Sequence, residues 1–116
     1  MTFILTDGTV YWCVALNGRL VPATSPSFYV QDGPYIKNIN TRKYVMSAGD
    51  GYLIESDFNA TYPEYFQFEI GNDRVDWVPG DKKYNVSKII TLQGYEANPP
   101  GLWMKVDYEN YLRSVN

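Results

Sequence analysis

The chain offers few groups for covalent chemistry. Among 116 residues it has no histidine, one cysteine and thirteen acidic residues. A nucleophile needs a base beside it, and Cys13 sits in Tyr11-Trp12-Cys13-Val14, where a small thiol packs as a hydrophobe. The count rules out a metal centre built from His and Cys. Paired carboxylates are the remaining route to acid–base work. Asp73 and Asp76 flank Arg74, and Glu55 and Asp57 end a hairpin strand; all four read as solvated turn residues. There is no Gly-rich phosphate loop. The sequence therefore points to a non-enzymatic protein with no catalytic residue, metal ligand or cofactor.

Binding groups are more abundant. Recognition of a sugar uses an aromatic face beneath the ring and side chains that exchange hydrogen bonds with hydroxyls. Three stretches combine these types. The first holds Asp50, Tyr52, Asp57, Asn59 and Tyr62; the second holds Gln93, Tyr95, Asn98 and Trp103; the third, Asn17 and Arg19 with Tyr29, is poorer because its loop is short. The nine residues of the first two are the candidate ligand-binding residues. Leu102 and Met104 share one face of a strand, so Trp103 is expected to point outward beside Pro99-Pro100-Gly101. Trp12 and Tyr44 are expected in the core. Asp50-Gly51 reads as a turn, because a calcium loop needs several spaced oxygen ligands.

The charge balance narrows the partners. Net charge is −3 and the isoelectric point is about 4.8. The densest basic groups are Arg42-Lys43 and Lys82-Lys83, too few for a phosphate backbone or an anionic membrane surface. No apolar stretch approaches the roughly 20 residues of a membrane-spanning helix. The first residues, MTFILTDGTV, lack the basic and apolar regions of a signal peptide. With one cysteine, the expected location is the cytoplasm, or the exterior after release without such a signal.

Eleven Tyr, three Trp, nine Gly and seven Pro favour many short strands broken by turns, in one domain. Three segments, 3–30, 35–70 and 75–106, follow one plan. Each opens on an apolar run, passes a polar turn to a Tyr-led run (Tyr11, Tyr44, Tyr84), and ends in alternation after a proline. The ends pair Phe28 with Val30, Phe66 with Phe68 and Ile70, and Leu102 with Met104 and Val106. Asn17-Gly18 and Asp50-Gly51 supply tight hairpin turns. Phe28, Phe66 and Leu102 lie 38 and 36 residues apart, a repeat spacing. The expected core is Ile4, Tyr11, Leu20, Phe28, Val30, Ile36, Tyr44, Leu53, Phe66, Phe68, Tyr84, Leu92, Leu102 and Met104. Residues 107–116 are expected to close on the first strand pair, with short turns near 56–65 and 107–112 and no long helix.

Three four-stranded units over nearly the whole chain resemble a β-trefoil. YIKNINTRKYVMSAGDGYLIES with YFQFEI is similar to units of the fascin-like and ricin-B-lectin-like groups. The Gln-x-Trp motif of ricin-B lectins is replaced by Phe28-Tyr29-Val30, Phe66-Gln67-Phe68 and Leu102-Trp103-Met104. The resemblance implies an all-β barrel with pseudo-threefold symmetry that binds a partner through its loops. Carbohydrate or glycoprotein fits the residues best. The alternatives are a loop-based protease inhibitor, for which Asn98-Pro99-Pro100-Gly101 would be a preformed loop, and a cytoskeletal or structural attachment module.

Overall fold

Phe3, Ile4 and Leu5 stand in one strand, and all three are buried. A strand points alternate side chains to opposite faces, so this one must be covered on both. The computed structural model shows how. It describes residues 2–6, 8, 10–47, 53–72, 74–78, 84–85 and 104–115, with the backbone alone at 84, 85 and 104.

The strands are β1 (Thr2–Thr6), β2 (Tyr11–Val14), β3 (Leu20–Ala23), β4 (Tyr29–Asp32), β5 (Tyr35–Asn38), β6 (Tyr44–Met46), β7 (Ile54–Ser56), β8 (Phe68–Ile70), β9 (Val75–Trp77), β10 (Tyr84–Asn85) and β11 (Met104–Asp107). A 3-10 turn covers Pro63–Phe66, and helix α1 covers Tyr108–Val115. No helix of the described residues is long and apolar enough to cross a membrane.

All named strand pairs are antiparallel. One sheet runs β3-β2-β1-β4-β5-β6-β7, with β11 on β1; a second runs β10-β9-β8. β1 meets β4 through Thr2 and Phe3, β2 through Thr6, and β11 along Phe3–Thr6. The ends of the larger sheet come together: Leu20 N–H donates to Leu53 O at 2.9 Å, Glu55 N–H donates to Gly18 O at 2.8 Å, and Arg19 bridges Ile54. The second sheet touches the first where Phe68 N–H donates to Pro34 O at 2.8 Å. The fold is all-β, with a nearly closed, barrel-like sheet.

Phe3 and Leu5 join Trp12, Leu20, Tyr29, Ile36, Val45, Leu53, Phe68, Val75 and Trp77 in one core cluster. Ile4 faces the other way, on the side of β1 against which α1 packs. Each fully buried large side chain contributes roughly 1.5–3 kcal/mol.

Ile4, Leu20, Ile36, Leu53, Phe66 and Phe68 are buried as expected, and so is Trp12. Four assignments are corrected. Tyr11, Phe28, Val30 and Tyr44 are only half-buried, and their neighbours Trp12, Tyr29 and Val45 fill the core instead. The register is slipped by one residue because both faces of these strands carry large apolar groups. Phe28 packs edge-on against Tyr108 and Tyr111 of α1 at 5.3 and 6.0 Å, and Tyr11 against Tyr111 at 5.5 Å. The tail lies against the first strand pair as a helix: Asp107 ends β11, which pairs with β1, and α1 packs on β1 and on Tyr11 of β2. Tyr84, Leu92, Leu102 and Met104 lie outside the residues whose side chains are described.

Phe66 is 1% exposed and meets Phe58 at 5.0 Å. Phe66→Ala should therefore cost about 3–5 kcal/mol by cavity formation. Urea denaturation checks this; an unchanged midpoint would remove Phe66 from the core.

Candidate functional site

Two polar residues occupy core-facing positions. Ile36 and Leu53 point inward, and strand alternation puts Asn38 and Glu55 on the same faces. Asn38 is 1% exposed and Glu55 6%. Buried polar groups must find partners, and these two find each other. Asn38 Nδ2 donates to Glu55 Oε2 at 2.8 Å, Thr41 Oγ1 donates to Oε1 at 2.8 Å, and the Tyr29 hydroxyl donates to Oε2 at 3.4 Å.

The same groups build the loop between β5 and β6. Asn38 Oδ1 accepts the N–H groups of Asn40 and Thr41 at 2.8 and 3.2 Å, an Asx turn. Thr41 Oγ1 accepts the Lys43 N–H at 3.2 Å. Backbone bonds add Asn38 N–H to Lys43 O and Arg42 N–H to Asn38 O, both 2.9 Å. Arg42 has φ of 62°, a left-handed conformation unusual for a residue with a Cβ. Such a residue persists where its surroundings over-determine it, as these bonds do.

Opposite lies the hairpin tip, residues 15–19. Gly18 has φ of 86°, and a Cβ there would sit 3.4 Å from Glu55 O, so glycine serves both the turn and the close approach of β7. Asn17 Oδ1 accepts the Arg19 N–H at 3.1 Å. Asn17-Gly18 is thus the expected hairpin turn. β6 and β7 pair as the second hairpin, and its Asp50-Gly51 tip lies outside the described residues.

Between tip and loop opens a cleft of about 630 Å³, lined by residues 14–18 on one side, by Thr41 and Lys43 on the other, and by Glu55. Leu16 stands fully exposed at its lip. Among the described residues, no Lys or Arg lies within ion-pair distance of Glu55. The cleft can therefore accept hydrogen bonds at a buried carboxylate and at the Thr41 oxygen, donate them from Lys43, and do either at the Asn17 amide. Burial first, and then the charge of Glu55, push the Tyr29 hydroxyl well above its ordinary value of 10.0, which keeps it a donor.

A second group, of exposed and half-buried residues, covers the outer side of β5 and β6. Phe58 lies 4.9 Å from Tyr35 and 5.8 Å from Tyr44. Lys37 sits 5.6 Å above Tyr44, whose hydroxyl donates to Asp32 at 2.6 Å. That bond, ahead of burial, raises the Tyr44 hydroxyl.

Of the nine sequence candidates, Asp57, Asn59 and Tyr62 fall on the exposed segment that carries Phe58. Asn59 is occupied by a turn: its Oδ1 accepts the Thr61 N–H at 2.9 Å, and its carbonyl the Tyr62 N–H at 3.1 Å. Tyr62 is 47% exposed and stacks on Tyr65 at 5.3 Å. None of the three lines the cleft. Asp50, Tyr52, Gln93, Tyr95, Asn98 and Trp103 lie outside the described residues. The cleft residues Thr41, Lys43 and Glu55 were not singled out as binders, and neither was Asn38, which bonds to Glu55. Two acidic residues expected in solvent are corrected: Glu55 is buried, and so is Asp76, which accepts the Arg74 Nε–H at 3.0 Å on both oxygens.

Comparison of the chain with protein-family models, curated proteins and solved structures finds no match.

Asn38→Ala would remove a donor from the buried carboxylate and two loop bonds, with an expected cost of about 2–3 kcal/mol; thermal unfolding checks it. Because the folded Tyr29 hydroxyl ionises at higher pH than the unfolded one, its contribution is intact below about pH 10 and is lost as pH rises toward the raised folded value. Denaturant midpoints measured from pH 9 upward should fall less steeply in Tyr29→Phe than in the wild type; equal slopes would contradict the burial of Tyr29.

Proposed function

We propose that this chain is a β-trefoil binding module without catalytic turnover, which takes a carbohydrate ligand in the cleft between the Asn17-Gly18 hairpin and the Asn38–Lys43 loop. The observation that carries the reading is the buried Glu55 carboxylate lining a cleft of about 630 Å³. That size suits a small-molecule site, which is concave and carries a few fixed polar groups. A polyol would donate to Glu55 and Thr41, accept from Lys43 and exchange bonds with the Asn17 amide, while Val14 and Leu16 meet its apolar face.

Strand pairing supports the trefoil part. β11-β1-β4-β5 are consecutive neighbours, β8 bonds to the residue preceding β5, and β8 pairs with β9. This is the order in which a three-unit barrel alternates its first and fourth strands. β2-β3 and β6-β7 are then the hairpins. The second strand starts nine residues after the first in each unit: Thr2 to Tyr11, Tyr35 to Tyr44, and Val75 to Tyr84. The free thiol of Cys13 suits the cytoplasmic location expected from the sequence.

A protein partner is the second reading. It is favoured by the exposed aromatics Phe58 and Tyr62, 39% and 47% accessible, since exposed apolar clusters often mark interfaces.

The test is a glycan array with wild type, Asn17→Ala and Phe58→Ala. The expected outcome is saturable binding to a defined sugar, at least about tenfold weaker in Asn17→Ala and unchanged in Phe58→Ala. Tenfold corresponds to about 1.4 kcal/mol, the scale of one or two polar contacts. Loss confined to Phe58→Ala would move the site to the aromatic face. A blank array would overturn the carbohydrate reading in favour of the protein partner.

A further inference from the structure

We infer that the cleft selects a ligand carrying a protonated amine, with amino sugars as the class that joins such a group to hydroxyls; this rests on the carbohydrate reading above. The argument starts from the charge at Glu55. Glu55 is 6% exposed, and the three donors to its carboxylate, Tyr29, Asn38 and Thr41, are all neutral. A carboxylate has about four acceptor positions. Oε2 takes two donors, Asn38 and the longer contact from Tyr29, whereas Oε1 takes only Thr41. Thr41 and Glu55 both line the cleft, so the oxygen with spare capacity is the one held by a cleft residue.

A ligand filling the cleft strips the remaining water from this carboxylate. A neutral sugar returns a hydrogen bond to the carboxylate for that loss but no counter-charge. An ammonium returns a bond whose donor and acceptor are both charged, and it supplies a counter-charge in a site of low dielectric. The buried anion thereby discriminates by charge rather than by hydroxyl pattern.

The charged groups around the site are Arg19 on the hairpin and Arg42 and Lys43 on the loop. Arg42 and Lys43 are exposed, and among the described residues none of the three pairs with Glu55. Lys43 lines the cleft and opposes a cationic ligand. Its long stem lets the ammonium move into solvent, where salt screens it.

Isothermal titration at a pH where the free amine is protonated tests the inference. The probes are glucosamine, galactosamine and mannosamine, each beside its N-acetyl form and its parent sugar. At least one amine should bind about tenfold or more tighter than its N-acetyl and parent counterparts. Glu55→Gln should abolish the preference. If circular dichroism shows that variant unfolded, Lys43→Gln serves in its place and should bind the amine several-fold tighter. Equal or tighter binding of the neutral forms would overturn the amine inference and leave the carbohydrate reading standing. Absence of binding by all of these sugars would overturn the inference; together with a blank glycan array, it would overturn the carbohydrate reading as well.

Discussion

A buried carboxylate is the constraint around which this structure is arranged. Glu55 belongs to β7, but its partners come from β4, from the end of β5 and from the loop before β6. An unpartnered charge at this position would be costly, so the strands and the loop must be in place together. The backbone of the same residue bonds to Gly18, which joins the first hairpin to the second where the larger sheet nearly closes. One residue thus ties closure of the sheet to the shape of the cleft. The loop carrying Thr41 and Lys43 holds a left-handed Arg42, and it does so because Asn38 and Thr41 are anchored at the carboxylate.

Much of the fold was legible in the sequence because turn chemistry and period-two alternation are local signals. Asn17-Gly18 marked a hairpin, and Ile36, Leu53, Phe66 and Phe68 marked inward faces. The slips at Tyr11, Phe28 and Tyr44 have one physical origin. In Tyr11-Trp12 and Phe28-Tyr29 both alternating positions are aromatic, so alternation gives a period but no phase. The phase is set by what covers each face, and for Tyr11 and Phe28 the cover is the helix formed by residues 108–115. Tyr29 goes inward because Glu55 gives its hydroxyl a partner. That contact spans 26 residues and leaves no local trace.

The cleft was partly legible as well. Leu53 was expected inside, and Glu55 follows two residues later; Ile36 was expected inside, and Asn38 follows two residues later. Taken one step further, alternation places a carboxylate and an amide in the core, where they need each other. Composition drew attention instead to clusters of Tyr, Asp and Asn, and those among the described residues lie on the exposed segment 57–62. There Asn59 is spent on its own turn. Polar residues abundant in a loop often serve the loop, whereas a polar residue among apolar core positions has no local use and is the stronger sign of a site.

The central claim is that ligand enters the cleft beside Glu55. The most direct measurement is two-dimensional NMR of the isotope-labelled protein titrated with the sugar that binds it. The account predicts the largest shift changes at the backbone amides of Asn17, Gly18, Thr41 and Lys43 and at the side-chain carboxyl carbon of Glu55. Changes gathered on residues 57–62 with the cleft silent would contradict it.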